Sequence, residues 1–188
     1  SDNDHVHTRL SHSLEVASVG RSLATRLGHW MKGEGLIDET HSPSAIGALV
    51  QAACLAHDIG NPPFGHSGET AIRGYFKSHP YWLSGLSSEQ RADFLGFEGN
   101  AQGFRVLSSL ERHWFDGGMR LTAATLGAFV KYPHTADSAM GQSKQKHGIN
   151  QAELPFMGDL SDRLGLLKNA SDTWARHPLV YVVEAADD

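Results

Sequence analysis

Cys54-Leu55-Ala56-His57-Asp58-Ile59-Gly60-Asn61-Pro62-Pro63-Phe64-Gly65-His66-Ser67-Gly68-Glu69 is the stretch around which the rest of the chain arranges itself. An apolar run ends in adjacent His57 and Asp58. Gly60, Pro62, Pro63 and Gly65 then forbid helix and dictate a tight, stiff turn. Beyond the turn, His66 and Glu69 are three residues apart, which places them on one helix face. Neutral imidazole and carboxylate are ligands for borderline and hard metal ions. An imidazole backed by a carboxylate is a proton-transfer pair. A turn that folds one set over the other points to a metal-dependent hydrolase, provided that the rest of the chain supplies more ligands and a pocket.

The helix leading into the turn starts at Ser42-Pro43, an N-cap followed by proline at the first helical position. Ile46, Leu49, Val50, Ala53, Cys54 and Leu55 make it apolar on more than one side, so it is expected to be central. It delivers His57 and Asp58 at its C-terminal end. Adjacent helical residues diverge by about 100°, yet both reach one ion at a fraying terminus. After the turn, helix resumes from His66 to about Lys77, with Ala71, Ile72, Tyr75 and Phe76 apolar; its N-terminus offers free N–H groups to an anion.

Upstream, residues 8 to 32 read as one long helix. Leu10, Leu14, Ala17, Ala24, Leu27 and Met31 recur at helical steps and predict one apolar stripe. Gly33-Glu34-Gly35 stops it. Arg9 and His12 share a face. His12, between Leu10 and Leu14, is either a satisfied core histidine or, if other ligands converge on it, part of a site.

Downstream, Ser87 or Ser88 caps a short helix after the loop that begins at His79-Pro80. Gly96-Phe97-Glu98-Gly99-Asn100-Ala101-Gln102 leads into a helix carrying Phe104, Leu107 and Leu110, and its two amides are either caps or pocket lining. Leu121 to Val130 is a compact apolar helix ended by Lys131-Tyr132-Pro133. Lys131 and Tyr132 suit phosphate binding and ring stacking; the plainer alternative is a solvated lysine beside a half-buried tyrosine. Residues 134–150, rich in Ser, Gln, Lys and Gly, are expected to form a mobile loop. Weak helical spacing follows through Leu154, Leu160, Leu164 and Leu167. Val180 to Val183 alone would suggest a strand, but Pro178 and the Glu184-Ala185-Ala186 continuation favour helix.

With 188 residues, 40% hydrophobic and 20% charged, the chain fits one domain with a real core. No apolar run approaches the roughly 18 residues needed to span a membrane. The single cysteine, Cys54, excludes an internal disulfide, suits the cytoplasm and is expected to be a buried inert thiol. A net charge of −5 leaves no global footprint for nucleic acid. Of the 12 histidines, His5, His29, His41, His79, His113 and His147 are expected at the surface. There is no P-loop, no cysteine-based zinc framework and no Gly-x-Ser-x-Gly elbow. The chain opens without Met and closes on Asp187-Asp188 with no stop signal, as a piece of a longer protein would.

The residues resemble the HD-domain phosphohydrolases, whose pattern is a distant His, then His-Asp, then a distant Asp after a small residue. His12, His57-Asp58 and Asp187 fit in order and approximate spacing. Thr8-Arg9-Leu10-Ser11-His12-Ser13, the His57-to-Glu69 run, Phe97-Glu98-Gly99-Asn100-Ala101-Gln102, Lys131-Tyr132-Pro133 and Glu184-Ala185-Ala186-Asp187-Asp188 look like the bacterial dGTP triphosphohydrolase branch. The resemblance implies an all-α HD-domain helical bundle over residues 1–188, truncated at both ends and part of a larger all-helical protein. It implies a divalent metal, Mg or Mn, held by His12, His57, Asp58 and Asp187. Asp187 is preferred to Asp188 because the family's ligand directly follows the small residue. By the same likeness His66 is the catalytic imidazole, Glu69 its orienting carboxylate, and Arg9 a triphosphate contact. Asn61, Lys131 and Tyr132 match positions that meet phosphate or sugar. The implied reaction takes a dNTP, dGTP favoured, to deoxynucleoside and tripolyphosphate in the cytoplasm. The implied assembly is a homo-oligomer of the full-length protein, with nucleic acid at most an effector. The competing expectations are an HD-domain phosphohydrolase for another nucleotide or phosphate ester, and a non-catalytic nucleotide-binding module.

Overall fold

The computed structural model describes residues 8–111 and 118–188, so His5 and His113 lie outside the described residues. The architecture is helical. Helix α1 (Arg9–Gly33) starts at a capping box in which Thr8 and Ser11 exchange side-chain-to-backbone hydrogen bonds. Helix α2 (Pro43–Ala56) begins with Pro43 in its first turn. Ser42 sits at the N-cap in extended conformation, but its hydroxyl pairs with Ser44 and caps no backbone N–H. Helices α3 (His66–Ser78), α4 (Ser88–Leu95), α5 (Gly99–Arg105) and α6 (Ala123–Phe129) follow, and α5 runs on into a π turn at Val106–Leu110. Ser87, paired with Gln90, is the residue that caps α4.

Helix α2 is central: it packs on α1, α6 and α9 (Val180–Asp187), with Val50, Ala53 and Cys54 fully buried. Val180 to Val183 are therefore helical, and Pro178 precedes the helix, its carbonyl accepting from Tyr181 N–H. Phe104, Leu107, Leu126, Phe129, Met157 and Leu160 complete the core. Met157 and Leu160 belong to α8 (Leu154–Leu164), whose C-cap Gly165 adopts φ +63°; Leu167 lies past its end and is exposed. A short antiparallel pair, β1 (Lys168–Ala170) and β2 (Thr173–Trp174), leads back toward α9. Among the described residues no helix is long and apolar enough to cross a membrane.

Three expectations are corrected. The buried face of α1 is Ser13, Val16, Ala17, Gly20, Ala24 and Gly28, whereas Leu10 and Leu14 are 70% and 54% exposed. Ala17 and Ala24 of the expected stripe lie in that face and Leu27 and Met31 are half-buried, but the glycines at 20 and 28 let the α1 and α2 backbones approach, and Leu10 and Leu14 are left outside the contact. Residues 134–150 are not a featureless loop. They carry α7 (Ala139–Lys144), capped by Ser138, and are joined by bridges between His134 and Thr173 and between Thr135 and Ile149. Thr135, Ile149 and His147 are buried there, so His147 is not a surface histidine, while His29 and His41 are exposed and His79 is half-buried.

Candidate metal and phosphate site

The turn after α2 is pressed against the start of α5. A Cβ at Gly60 would overlap the backbone of Gly99 and Gly103, and one at Gly99 would overlap the Asn61 amide. Glycine at these positions lets the turn, α5 and α3 meet without an intervening side chain. Phe64 and Gly65 take positive φ (66° and 54°), which reverses the chain into α3.

His57 occupies the C-cap of α2. Its Nδ1–H donates to the Cys54 carbonyl at 2.7 Å, which fixes the tautomer and leaves the Nε2 lone pair facing inward. That Nε2 is buried and has no hydrogen-bond partner. It lies 3.5 Å from Asp58 Oδ1 and 3.3 Å from Asp187 Oδ1. His12, from α1, brings Nε2 to 3.2 Å from the same Asp187 oxygen, and the two imidazole rings meet edge-on with centroids 5.2 Å apart. One ligand atom from each of His12, His57 and Asp58 falls within 4.8 Å of the others. Asn61 Nδ2 donates to Asp58 Oδ1 at 2.6 Å, and Lys131 Nζ stands 3.4 Å from Asp187 Oδ2. A buried imidazole nitrogen with its lone pair unused, facing two carboxylates and a second imidazole, is the donor set that a divalent cation requires. The residues therefore fit a metal ion. Beside them, burial and then the negative charge of Asp187 push the Cys54 thiol up to about 11, consistent with an inert thiol.

At the start of α3, His66 Nδ1 donates to Glu69 Oε2 at 3.0 Å. Their settings are opposite: the His66 side chain is 86% exposed and that of Glu69 is 4% exposed. Burial alone would raise the Glu69 carboxyl. The bonds from His66 and from Gly99 N–H (2.8 Å), with the charges of Lys146 and Arg73, outweigh it and hold Glu69 below the usual carboxylate value.

A cavity of roughly 280 Å³ opens between these groups. His57, Asp58, His66, Lys131, Tyr132 and Lys146 line it, and Asn61 also reaches it. Arg9 does not line this cavity. Its guanidinium donates to the carbonyls of Asn61 and Pro62 at 3.1 and 3.2 Å, bracing the turn. Asn100 lines the cavity, which resolves its two readings; Gln102 lines a separate groove beside α4.

Sequence reasoning missed Glu98, Arg73 and Lys146. Glu98, 1% exposed, precedes α5 and receives Asn100 Nδ2 (2.7 Å), Lys146 Nζ (3.1 Å) and Arg73 Nη2 (3.4 Å). The signal for Arg73 was its i, i+4 spacing from Glu69. Lys146 carried no signal, because its segment read as a loop.

A family model described as "HD domain" matches residues 9–119. Over its whole length the chain is 57% identical to a "Deoxyguanosinetriphosphate triphosphohydrolase-like protein" of Pseudomonas aeruginosa, covering 43% of that protein. It is 44% identical to a protein of the same description from Synechocystis, again along the whole chain and over 46% of the relative. A "Deoxyguanosinetriphosphate triphosphohydrolase" of Cronobacter sakazakii is 34% identical over 99% of this chain and 42% of its own. The chain thus spans less than half the length of these relatives.

Proposed function

Since the chain belongs to the HD-domain family, on the branch of the deoxyguanosinetriphosphate triphosphohydrolase-like proteins, we propose that it carries the active site of a metal-dependent dNTP triphosphohydrolase. In this reading dGTP is the preferred substrate, and deoxynucleoside and tripolyphosphate are the products. The observation that carries it is that one cavity is lined by His57, Asp58 and Asp187, which meet His12 behind them, together with two lysines, a tyrosine and a separate exposed imidazole, His66, backed by the buried Glu69.

His12, His57, Asp58 and Asp187 hold the cation, with Mg or Mn the expected occupant. When bound, it polarises a phosphoryl oxygen and lowers the pKa of water. Lys131 and Lys146 neutralise phosphate charge across the cavity, and Tyr132 offers a face for sugar or base. Arg9 stiffens the turn and stands within one helical turn of His12, in reach of a longer phosphate chain. Glu69, buried and ionised, holds His66 with Nδ1–H turned inward. His66 Nε2 is then the atom that moves a proton to or from the reacting oxygen. Asn61 orients Asp58. The full-length protein is proposed to be a cytoplasmic homo-oligomer.

The test is turnover of each dNTP by the metal-loaded full-length protein, with deoxynucleoside as the measured product. Release of deoxyguanosine that stops on chelation supports the reading. Nucleotide binding without turnover points to a binding module, and orthophosphate or pyrophosphate as the sole inorganic product points to another phosphohydrolase.

A further inference from the structure

Two carboxylates in this site, Glu69 and Glu98, are 3% and 1% exposed. Ionised carboxylates at that depth need cationic or hydrogen-bonded partners. Arg73 serves both. It is one helical turn beyond Glu69 on α3, and its Nη2 lies 3.6 Å from Glu69 Oε2 and 3.4 Å from Glu98 Oε2. Its Nε donates to the Phe97 carbonyl at 2.7 Å, which fixes the plane of the guanidinium. Lys146 Nζ closes the far end, 3.2 and 3.1 Å from the two Glu98 oxygens. An unbroken chain of contacts therefore runs His66–Glu69–Arg73–Glu98–Lys146. It joins the exposed imidazole to a lysine that also lines the cavity.

We propose that Arg73 is a positioning residue for the His66–Glu69 pair, and that through Glu98 it holds that pair and Lys146 as one charged unit. The proposal rests on the hydrolase reading for its consequence, but not for its physics. Arg73 is itself neither a cavity-lining residue nor a member of the cluster around His57; it meets the cavity wall only through Glu98. It acts by keeping Glu69 an acceptor. A protonated Glu69 would donate to His66, reverse the imidazole tautomer and remove the basic Nε2 from the cavity. The groups that face Glu69 are His66 and Arg73 from α3, Gly99 N–H from the start of α5, Glu98 just before it, and Lys146 beyond α7. Among them Arg73 is the cation shared directly by both buried carboxylates. Lysine at this position would keep the charge but lose the Nε bond that orients it.

The experiment is a carboxyl ¹³C titration of Glu69 in full-length protein labelled at glutamate, comparing wild type, Arg73→Met and Arg73→Lys. The acid limb of kcat/KM for dGTP is measured on the same proteins. Arg73→Met is expected to raise the Glu69 midpoint by about half a pH unit or more and to carry the acid limb with it; Arg73→Lys is expected to restore most of both. If Arg73→Met does not fold, Arg73→Gln gives the same reading. A Glu69 midpoint that stays at the wild-type value in the neutral variant overturns the proposal, whatever happens to kcat. Absence of turnover in wild type with a shifted midpoint would instead count against the hydrolase reading alone.

Discussion

His57 donates its Nδ1 proton to the carbonyl oxygen of Cys54, three residues back on the same helix, at 2.7 Å. This one bond turns the other ring nitrogen into a buried lone pair without a hydrogen-bond partner, between Asp58 and Asp187. The helix end thus orients a candidate metal ligand with no help from a distant side chain, and the arrangement has a testable thermodynamic consequence.

A cation that binds the folded cluster and not the unfolded chain stabilises by mass action, about 2.7 kcal/mol at a hundredfold excess over Kd. Adding Mn²⁺ to the metal-free protein is expected to raise Tm, and His57→Ala is expected to abolish that rise. Differential scanning calorimetry with and without Mn²⁺ is the check. A rise that survives in His57→Ala would place the ion elsewhere.

In the proposed reaction His66 and His57 have different roles, although both line one cavity. Replacing His66 by Ala is expected to lower kcat by a factor on the order of 10²–10⁴ while the Mn²⁺-dependent rise in Tm stays intact. Glu69→Gln is expected to fall between the two proteins in kcat, because the amide still fills the space but no longer holds the Nδ1–H tautomer. Loss of metal binding in His66→Ala would contradict this division of labour.

Burial, followed by the nearby His134, depresses His147 to about 4. Its folded pKa is below its unfolded one, so the unfolded chain takes up the proton first. Stability is unaffected above about 6.5 and falls as pH drops from there toward 4, by up to about 2–3 kcal/mol. His147→Gln is expected to flatten this acid-side loss in urea melts at pH 7 and pH 5. Equal slopes in the two proteins would show that His147 is not the group responsible.

Asp93 is displaced the opposite way. Burial raises it to about 7, against the bond from Gln151 N–H, while Asp137 and Glu153 add to the rise. A carboxyl with a raised folded pKa contributes stability that is complete below its unfolded value of about 4 and is lost as pH climbs through 7. Asp93→Asn is expected to reduce the decline in Tm between pH 5 and pH 8, since the amide never ionises. An unchanged decline would assign it to other groups.

Much of the architecture was readable from the chain. The Ser87 cap, Pro43 in the first turn of α2 and the proline-glycine turn at residues 60 to 65 are local signals, and local signals survive folding. Adjacency of His57 and Asp58 fixed half of the cluster in the same way. The face of α1 was misread because a periodicity count weights large residues. Ala17 and Ala24 of the expected stripe are buried, but Leu10 and Leu14 are not; α1 comes closest to α2 at Gly20, beside Val50 and Cys54, and at Gly28, beside Pro43. Residues 134–150 were misread because composition says nothing of long-range pairing: Thr135 and Ile149 bridge to each other and His134 to Thr173, burying a polar segment. Lys146 was lost with that segment. Glu98 was visible only as a residue before a helix, and its two cations arrive from residues 25 and 48 positions away.

The close approach of the turn to α5 gives a further prediction. Gly60→Ala places a methyl group against the Gly99 and Gly103 backbones. It is expected to cost more than about 2 kcal/mol and to weaken Mn²⁺ binding, because His57 and Asp58 move with the turn. Urea unfolding and Mn²⁺ titration measure the two effects, and an unperturbed protein would show that the turn does not depend on this contact.

In the proposed reaction, water attacks the phosphorus nearest the sugar of a dNTP held in this cavity. Reaction of the metal-loaded full-length protein with dGTP in ¹⁸O-water, followed by mass spectrometry, tests it most directly. The expected products are unlabelled deoxyguanosine and tripolyphosphate carrying one ¹⁸O. Formation of dGMP with pyrophosphate, or of dGDP with orthophosphate, would contradict it.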